Sequence, residues 1–495
     1  MQIRLFAVFF VIVALTLPVW AQPVPESPAA NPTSTSESTP STDATPIQPQ
    51  PPKEEIIQPA EVAPAVPIAT PVPVETTPVV VPVTPSSPTE EAPAPTLSLF
   101  ELAPGWRLKL GGYVHFNVYY MNNEVLGTDT PAYVLPKNSN DFTKNNHEDQ
   151  LTLSARDTRL RMALLGPKAW NFDSSAIIEI DFYGNLPNSG TSIRQAQPRM
   201  RLAYMEMKHK DLVFRFGNDW MVAAPQFMTT FDPFNGWAQG NLWMRVPQAK
   251  VMYNKNLGDN FRIETAVMAG NALGGDNPRN TQLRTTGIGE HTCIPLLQAR
   301  IGAGFKIGEA EFSTLGISGS YQKLDFRGSP SITQSEYDAL VNLGHDTLHS
   351  WFGAFDGQIK FNLGKVKMQL TGEYHYGQAV GMFWGGLLQS YQFTLVDSHI
   401  ADVTPVKSIG YFADIKASFP NGWWTFAGVG RNVVDEDDIV TANSPVKNTY
   451  VWGGLAITKG PMTFGFGGGW LQTYFIQVEE PQTALLVQGY SALTF

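Results

Sequence analysis

The stretch PRMRLAYMEM, residues 198–207, alternates arginine with apolar side chains, since Arg199 and Arg201 lie on either side of Met200. The stretch DTRLRMALL, residues 157–165, has the same alternation. Successive side chains of a β-strand point to opposite faces, so each stretch predicts a strand with one apolar and one cationic face. A fold that contains these strands must place them between an apolar environment and water.

Alternating segments of this kind recur through residues 98–495. Sixteen segments begin near residues 106, 151, 174, 198, 212, 245, 261, 296, 311, 350, 366, 407, 424, 448, 463 and 484. The connections alternate between short ones, such as KHKD and PNGW, and long ones, such as 121–150 and 220–244. Short turns at one rim and long loops at the other are typical of an outer-membrane β-barrel. We therefore predict an all-β, membrane-spanning antiparallel barrel of 16 strands, with a soluble barrel as the alternative.

Two segments precede the predicted barrel. Residues 1–21 have a basic residue, a short apolar run and small residues near Ala21, which predicts a secretory signal peptide rather than a spanning helix. Residues 22–97 hold 20 of the 38 prolines, and their nine acidic residues and one lysine give a net charge of −8. That composition predicts a disordered segment. The remaining 98–495 carries −3, so most of the net charge of −10 belongs to the segment.

The ends of the barrel bear on location. An even strand number places both ends at the short-turn rim, which is periplasmic in such barrels. The Pro-rich segment is then expected in the periplasm, either as a tail without a partner or in contact with peptidoglycan. The chain ends on an amphipathic strand with Phe495, which resembles the signal that the bacterial barrel-assembly machinery binds.

The arginines decide the orientation of the strands. A lipid-facing arginine near the bilayer midplane costs about 2–4 kcal/mol. If Arg159, Arg161, Arg199 and Arg201 all faced lipid, the cost would be on the order of 8–16 kcal/mol. The arginines are therefore predicted to face a wet lumen, which a barrel of this size can enclose. The residues predicted to face lipid or a neighbouring subunit are Leu160, Met162, Met200 and Leu202. In the second strand, Leu151 and Leu153 differ in phase from Leu160, which predicts a bulge.

Residues 151–262 hold 14 basic and nine acidic residues, an excess of five positive charges in a barrel whose total is −3. Glu179 and Asp181 lie on the strand between the two arginine-bearing strands and are expected to pair with part of the cluster. Guanidinium groups beyond those pairs would favour carboxylate and phosphate solutes.

The loop at 220–244 is the third long loop, which folds inward and narrows the pore in general porins. Its Trp, Phe and Met content suits packing against a wall, and Asp232 and Asn235 are candidates to line the opening. The alternative is an aromatic loop at the membrane interface or at a subunit contact.

The runs ARDTRLRMALLGP, PRMRLAYMEM, VFRFGNDW and RVPQAKVMY, concentrated in 151–253, resemble the DcaP-like trimeric outer-membrane porins, within the general and phosphate-selective porin group. The resemblance implies a homotrimer with an arginine-lined constriction for small organic anions such as dicarboxylates. The coiled-coil segment of that family has no counterpart in 22–97. The residues predicted to line the pore or bind solute are Arg156, Arg159, Arg161, Arg199, Arg201, Arg215, Arg245, Lys250, Glu179, Asp181 and Asp232.

Other motifs predict no catalytic, cofactor or metal site. His345 and His349 lack the glutamate of a zinc-protease motif, and DEDD at 435–438 lacks the spacing of an EF-hand. A single cysteine, Cys293, excludes an internal disulfide. No hydrolase signature is present.

The sequence thus predicts a non-enzymatic porin in the Gram-negative outer membrane, in contact with lipid and lipopolysaccharide but not with nucleic acid. It would pass small solutes by diffusion and prefer anions such as dicarboxylates or phosphate. Two alternatives remain open: a barrel that tethers the membrane to the cell wall through 22–97, and an outer-membrane hydrolase.

Overall fold

The computed structural model describes residues 100–136, 149–184, 196–231, 236–274, 287–327, 329, 332–397, 399–441 and 443–495. The predicted signal peptide, the Pro-rich segment and Asp232 lie outside these residues. The strands are β1 (Phe100–Ala103), β2 (Trp106–Met121), β3 (Gln150–Ser154), β4 (Arg159–Leu165), β5 (Asp173–Gly184), β6 (Gln197–His209), β7 (Leu212–Trp220), β8 (Arg245–Asn256), β9 (Phe261–Gly270), β10 (Leu296–Lys306), β11 (Phe312–Asp325), β12 (Thr347–Leu363), β13 (Val366–Gln378), β14 (Tyr391–Val396), β15 (His399–Pro405), β16 (Lys407–Ser418), β17 (Trp423–Val434), β18 (Pro445–Lys459), β19 (Met462–Phe475) and β20 (Gln482–Thr494).

The strands close into one antiparallel barrel, which confirms the predicted fold class. β3 and β4 both pair with β2 and together form one wall strand, β1 is a short addition to β2, and β14–β15 is a separate hairpin. Sixteen wall strands remain, and β2 pairs with β20 to close the ring. At the seam, Gly112 and Phe495 exchange two backbone hydrogen bonds of 3.0 Å.

The predicted alternation of connections is confirmed. At one rim, here called the turn rim, the strands are joined by two to seven residues; at the other, the loop rim, by six to 28. The two ranges of length overlap only at the last connection of the loop rim, 476–481, which is no longer than the turn at 166–172. Both ends of the barrel lie at the turn rim, because β2 starts there and β20 returns there.

The period of two along each strand separates an apolar exterior from a polar interior. On β2, Val114 and Phe116 are exposed on the outer face, whereas His115 and Asn117 are buried toward the lumen. A continuous outer face of exposed apolar side chains is costly in water and favourable in lipid.

The loop rim carries its own packed structure. Helix α1 (Gln334–Leu343) is capped by Thr333 through a capping box. The Thr333 hydroxyl accepts a hydrogen bond from the backbone N–H of Glu336, and the Glu336 carboxylate accepts one from the backbone N–H of Thr333. Glu336 also accepts a hydrogen bond of 3.2 Å from the backbone of Ile400, which joins α1 to the β14–β15 hairpin. Backbone donors at Thr333 and Ile400 lower the pKa of Glu336. Among the described residues, no helix is long and apolar enough to cross a membrane.

Candidate functional site

The break between β3 and β4 turns Arg156 and Arg159 toward the lumen. Asn117 pairs with Ser154 and Tyr113 with Arg159, so four residues of one strand oppose three of the other. This confirms the predicted bulge. Gly112 faces the bulge with φ +148°, and a Cβ there would lie 2.1 Å from the carbonyl oxygen of Arg159. Only glycine fits, because both its φ and the contact exclude a side chain.

A second bulge corrects the prediction for Leu202. Met200 pairs with Ile180 and is 56% exposed on the outside, but Leu202 pairs with the buried Glu179 and is 6% exposed. Arg201 is the extra residue, and it shifts the phase of β6 by one position. Leu202 therefore faces inward, not toward lipid or a partner. The predicted outer positions of Leu160, Met162 and Met200 agree with their exposure.

Two carboxylates of β5 hold the arginines of β6. Asp181 accepts hydrogen bonds from Arg199, at 3.0 and 2.6 Å, and from Arg201 at 3.0 Å. Glu179 accepts a bond of 2.8 Å from Arg201, and Arg161 approaches it at 3.9 Å. Asp181 is fully buried, whereas the side chain of Arg161 is 43% exposed. The predicted pairing of these acids is present, with Arg161 the most loosely held cation.

The arginines around the first bulge have partners that sequence reasoning missed. Arg156 donates to Asp129 of the first long loop at 3.2 Å, and its guanidinium lies 4.4 Å from the ring centre of Tyr183. Arg159 donates to Asp157 at 3.0 Å. Asp157 also contacts His115 Nδ1 at 2.8 Å. The alternation of β2 predicts that His115 points inward, which could have suggested its contact with Asp157. Nothing local in the sequence connects Asp129 with Arg156.

Two of the predicted residues belong to a neutral group nearer the turn rim. Arg215 donates to Glu206 at 2.6 Å and to Asp219 at 3.0 Å, and Lys250 pairs with Asp219 at 2.6 Å. Two cations thus face two carboxylates, all at the lumen side of β6, β7 and β8. The contribution of Arg215 and Lys250 to a pore lining stays a prediction.

Arg245 differs from the other arginines. Its guanidinium lies 4.6 Å from the ring centre of Trp220 and 5.4 Å from that of Trp243. Among the described residues it has no ion pair, and its buried Nη1 has no hydrogen-bond partner. Planar stacking on tryptophan is a favourable environment for arginine that leaves its donors unused.

We call the six arginines 156, 159, 161, 199, 201 and 245 the arginine wall. Within the described residues they contact four carboxylates: Asp129, Asp157, Glu179 and Asp181. Among the residues that the structure describes, the wall therefore has two guanidinium groups more than carboxylates. The excess is best attributed to Arg161, which shares its acid, and Arg245, which has none.

Loop 3, residues 221–244, folds into the lumen, as predicted. From β7 it follows the inner face of the barrel, where the backbone of Val222 donates to Gln298 on β10 at 2.9 Å and that of Ala224 to Ser318 on β11 at 3.1 Å. Farther along, Gln226 donates to Asp356 on β12. These partners are inward-facing polar side chains, so the loop is held by the wall itself.

The middle of loop 3 is held by two buried carboxylates. Glu373 on β13 accepts from the backbone N–H groups of Gln226 and Leu242, at 3.3 and 3.4 Å. Asp414 on β16 accepts from the N–H and hydroxyl of Thr229, at 2.9 and 2.8 Å. These two carboxylates therefore bind loop 3 rather than arginine side chains.

The loop ends its crossing in an aromatic cluster. Phe231 stacks on Tyr490 of β20, with 4.8 Å between ring centres, and contacts Phe426 at 4.9 Å. Trp452 donates to the carbonyl of Thr229 at 2.7 Å. On the return path, Gln239 donates to Pro131 of the first long loop, and Trp237 packs on Trp384. Loop 3 thus covers the wall from β10 to β20 and leaves the arginine wall opposite it.

The remaining motifs have ordinary partners. His345 contacts Asp402 at 2.6 Å, whereas His349 contacts the hydroxyl of Tyr321 at 2.9 Å, so the two histidines do not share a site. Asp438 of the DEDD stretch pairs with Lys407 at 3.2 Å. In the part of the chain that the structure describes, no three His, Cys, Asp or Glu side chains are grouped to hold a metal ion.

Comparison with known proteins bears on the fold. No family model and no curated protein sequence matches the chain. The crystal structure of the outer membrane channel DcaP of Acinetobacter baumannii is similar at a TM-score of 0.59 and 17% identity, over 81% of this chain and 100% of that one. The anion-selective porin from Comamonas acidovorans matches at a TM-score of 0.46 and 11% identity, over 79% and 100% of the two chains. At these identities the likeness to DcaP supports the barrel fold alone.

Proposed function

We propose that the chain is an outer-membrane porin that passes small solutes by diffusion and prefers small anions such as dicarboxylates or phosphate. The observation that carries this proposal is the arginine wall, where the described residues place six guanidinium groups and four carboxylates opposite a loop that covers the other wall. An excess of fixed positive charge in a narrow lumen lowers the barrier for anions.

The proposed route runs between loop 3 and the arginine wall. Arg161 and Arg245 would meet the solute with free donors, because the other four arginines are held by acids. Guanidinium groups bind carboxylate and phosphate oxygens through parallel hydrogen bonds. Binding by a few partly satisfied arginines is weak enough for release, as conduction requires. Asp232 of loop 3 remains a candidate lining residue.

Liposome swelling tests the solute class. Vesicles with the wild-type chain should take up a dicarboxylate faster than a neutral solute of similar size. Replacing both surplus guanidiniums, R161Q with R245Q, should remove most of that preference and leave uptake of the neutral solute within about twofold. Lys255→Gln is the matched control, since Lys255 lies at the turn rim in a half-exposed pair with Asp211. Faster uptake of neutral solute by the wild type would contradict the proposal.

Placement and assembly complete the proposal. We place the turn rim in the periplasm, with a signal peptide at 1–21 and the Pro-rich 22–97 entering from that side, because the barrel starts and ends there. We further propose a homotrimer. Met162 on β4 and Met200 and Met205 on β6 are exposed on the outer face, and flexible methionine side chains adapt readily to a protein surface.

A further inference from the structure

Three lysines lie on the lumen face below loop 3, between the loop and the turn rim. The face is fixed by register, because Gln358, Thr371 and Asp414 are neighbours across β12, β13 and β16, and Asp414 holds loop 3. Side chains two residues farther along a strand stay on the same face. The rows that follow are Lys360–Gln369–Lys416 and Asn362–Lys367–Ser418.

The lysines form a triangle. Adjacent strands are about 4.8 Å apart and two residues span about 6.7 Å, so the three backbone positions are separated by roughly 8–10 Å. Side chains of this length can converge on one oxyanion group at the centre of such a triangle. Gln369, which lies between Lys360 and Lys416, and Ser418, which lies beside Lys367, add uncharged hydrogen-bond donors.

The charges and the space around the triangle fit an anion. Glu311, from the turn before β11, approaches Lys360 at 2.9 Å and Lys367 at 3.8 Å, so one carboxylate already lies between two ammonium groups. Lys416 lies 4.9 Å from the ring centre of Trp424. Glu311 and the three lysines, with Glu309, line a cavity of about 110 Å³. Roughly 10–15 Å³ is enough for one water, so an oxyanion group fits.

We propose that Lys360, Lys367 and Lys416, the lysine triad, form a second anion site on the periplasmic side of loop 3, for a carboxylate or phosphate group. The inference rests on the proposed function, because the triad contributes to passage only if the lumen conducts anions. Glu311 is the internal competitor, which keeps binding weak. A solute leaving the arginine wall would meet the triad across the lumen, so that passage is divided between two weak sites, as conduction favours.

One-sided block of the channel tests the proposal. In planar bilayers, succinate is added to one side and the block of chloride current is measured; maleimide labelling of the exposed Cys293 at the loop rim reports the orientation. For K360Q/K367Q/K416Q, the half-blocking concentration should rise about tenfold for succinate from the periplasmic side, since each exposed ion pair contributes up to about fivefold. Block from the loop-rim side should change less than about twofold.

The controls separate the possible failures. Lys365→Gln removes the same charge from the turn between β12 and β13 and should leave both half-blocking concentrations unchanged, whereas lysine-to-arginine changes in the triad should preserve the block. K367Q alone, at a side chain that is 75% exposed, should raise the periplasmic value about twofold to threefold if the triple variant does not fold. If the triple variant, or K367Q when the triple variant does not fold, is blocked like the wild type, the proposed anion site at the lysine triad is wrong, but the proposed function stands. A wild type that succinate blocks from neither side overturns the proposed function as well.

Discussion

The two halves of the lumen use the same kinds of side chain for different purposes. On β4 to β8, the inward carboxylates Glu179 and Asp181 bind arginines, and guanidinium groups remain in excess. On β12 to β16, the inward carboxylates Glu373 and Asp414 bind backbone and hydroxyl donors of loop 3. At the level of loop 3, one wall therefore presents guanidinium groups to the lumen, and the other supports the loop that narrows it. A polar side chain that points inward is therefore not necessarily a pore-lining residue. Whether it lines the pore depends on the group that it contacts.

Removing a carboxylate from the arginine wall should give the largest effect on stability. Asp181→Asn leaves Arg199 and Arg201 without their shared buried acid, and losing one member of a buried pair costs about 3–5 kcal/mol. We expect a cost near 5 kcal/mol, measured by urea unfolding in detergent with tryptophan fluorescence. The folded fraction should be more anion-selective than the wild type.

The matched control for this change is Asp173→Asn on the same strand. Asp173 pairs with Lys168 at 3.3 Å, but both side chains are more than half exposed, so its loss should cost under about 1 kcal/mol. Equal costs for the two variants would mean that the buried network does not stabilise the barrel.

Releasing the loop from the opposite wall should have a somewhat smaller cost. E373A with D414A removes four hydrogen bonds to loop 3, at about 1 kcal/mol each, or about 4 kcal/mol together. The freed loop should broaden the distribution of single-channel conductance. Asp402→Asn, on the outer hairpin, is the control; a conductance distribution as narrow as the wild type would show that the two acids do not hold the loop.

The bulge in β6 predicts a smaller and opposite pair of effects. Met200→Arg puts a cation on the outer face and should cost about 2 kcal/mol in a bilayer. Leu202→Arg puts the same group inside, beside Arg199 and Arg201, so anion selectivity should rise. Met200→Arg, by contrast, should leave selectivity unchanged. The reversal potential distinguishes them, and a selectivity unchanged by Leu202→Arg in the folded barrel would contradict the inward position of Leu202.

Local sequence patterns predicted most of the fold, because strands of a barrel repeat one two-residue rule. All sixteen predicted segments begin within about three residues of the observed strands. The break in alternation near Leu153 was visible in the sequence, because Leu151 and Leu153 differ in phase from Leu160. The break at Arg201 was not, because an arginine followed by leucine is compatible with either phase.

The site was harder to predict, since its chemistry depends on partners far apart in the sequence. Arg159, Arg199 and Arg201 do line up on one wall, but Asp129 and Trp243 come from loops, and Trp220 lies at the end of β7. Period and charge therefore identify most of the residues that face inward, except where a bulge such as that at Arg201 shifts the phase. They do not show which arginines remain free once the loops have folded in.

The reversal potential in a salt gradient tests the central claim most directly. Across a tenfold KCl gradient, the wild-type channel should give a potential of the sign that chloride permeation produces, and R161Q with R245Q should move it clearly toward zero while the barrel stays folded. A potential of the sign set by potassium, or a double variant identical to the wild type, would contradict an anion channel governed by the surplus guanidiniums of the arginine wall.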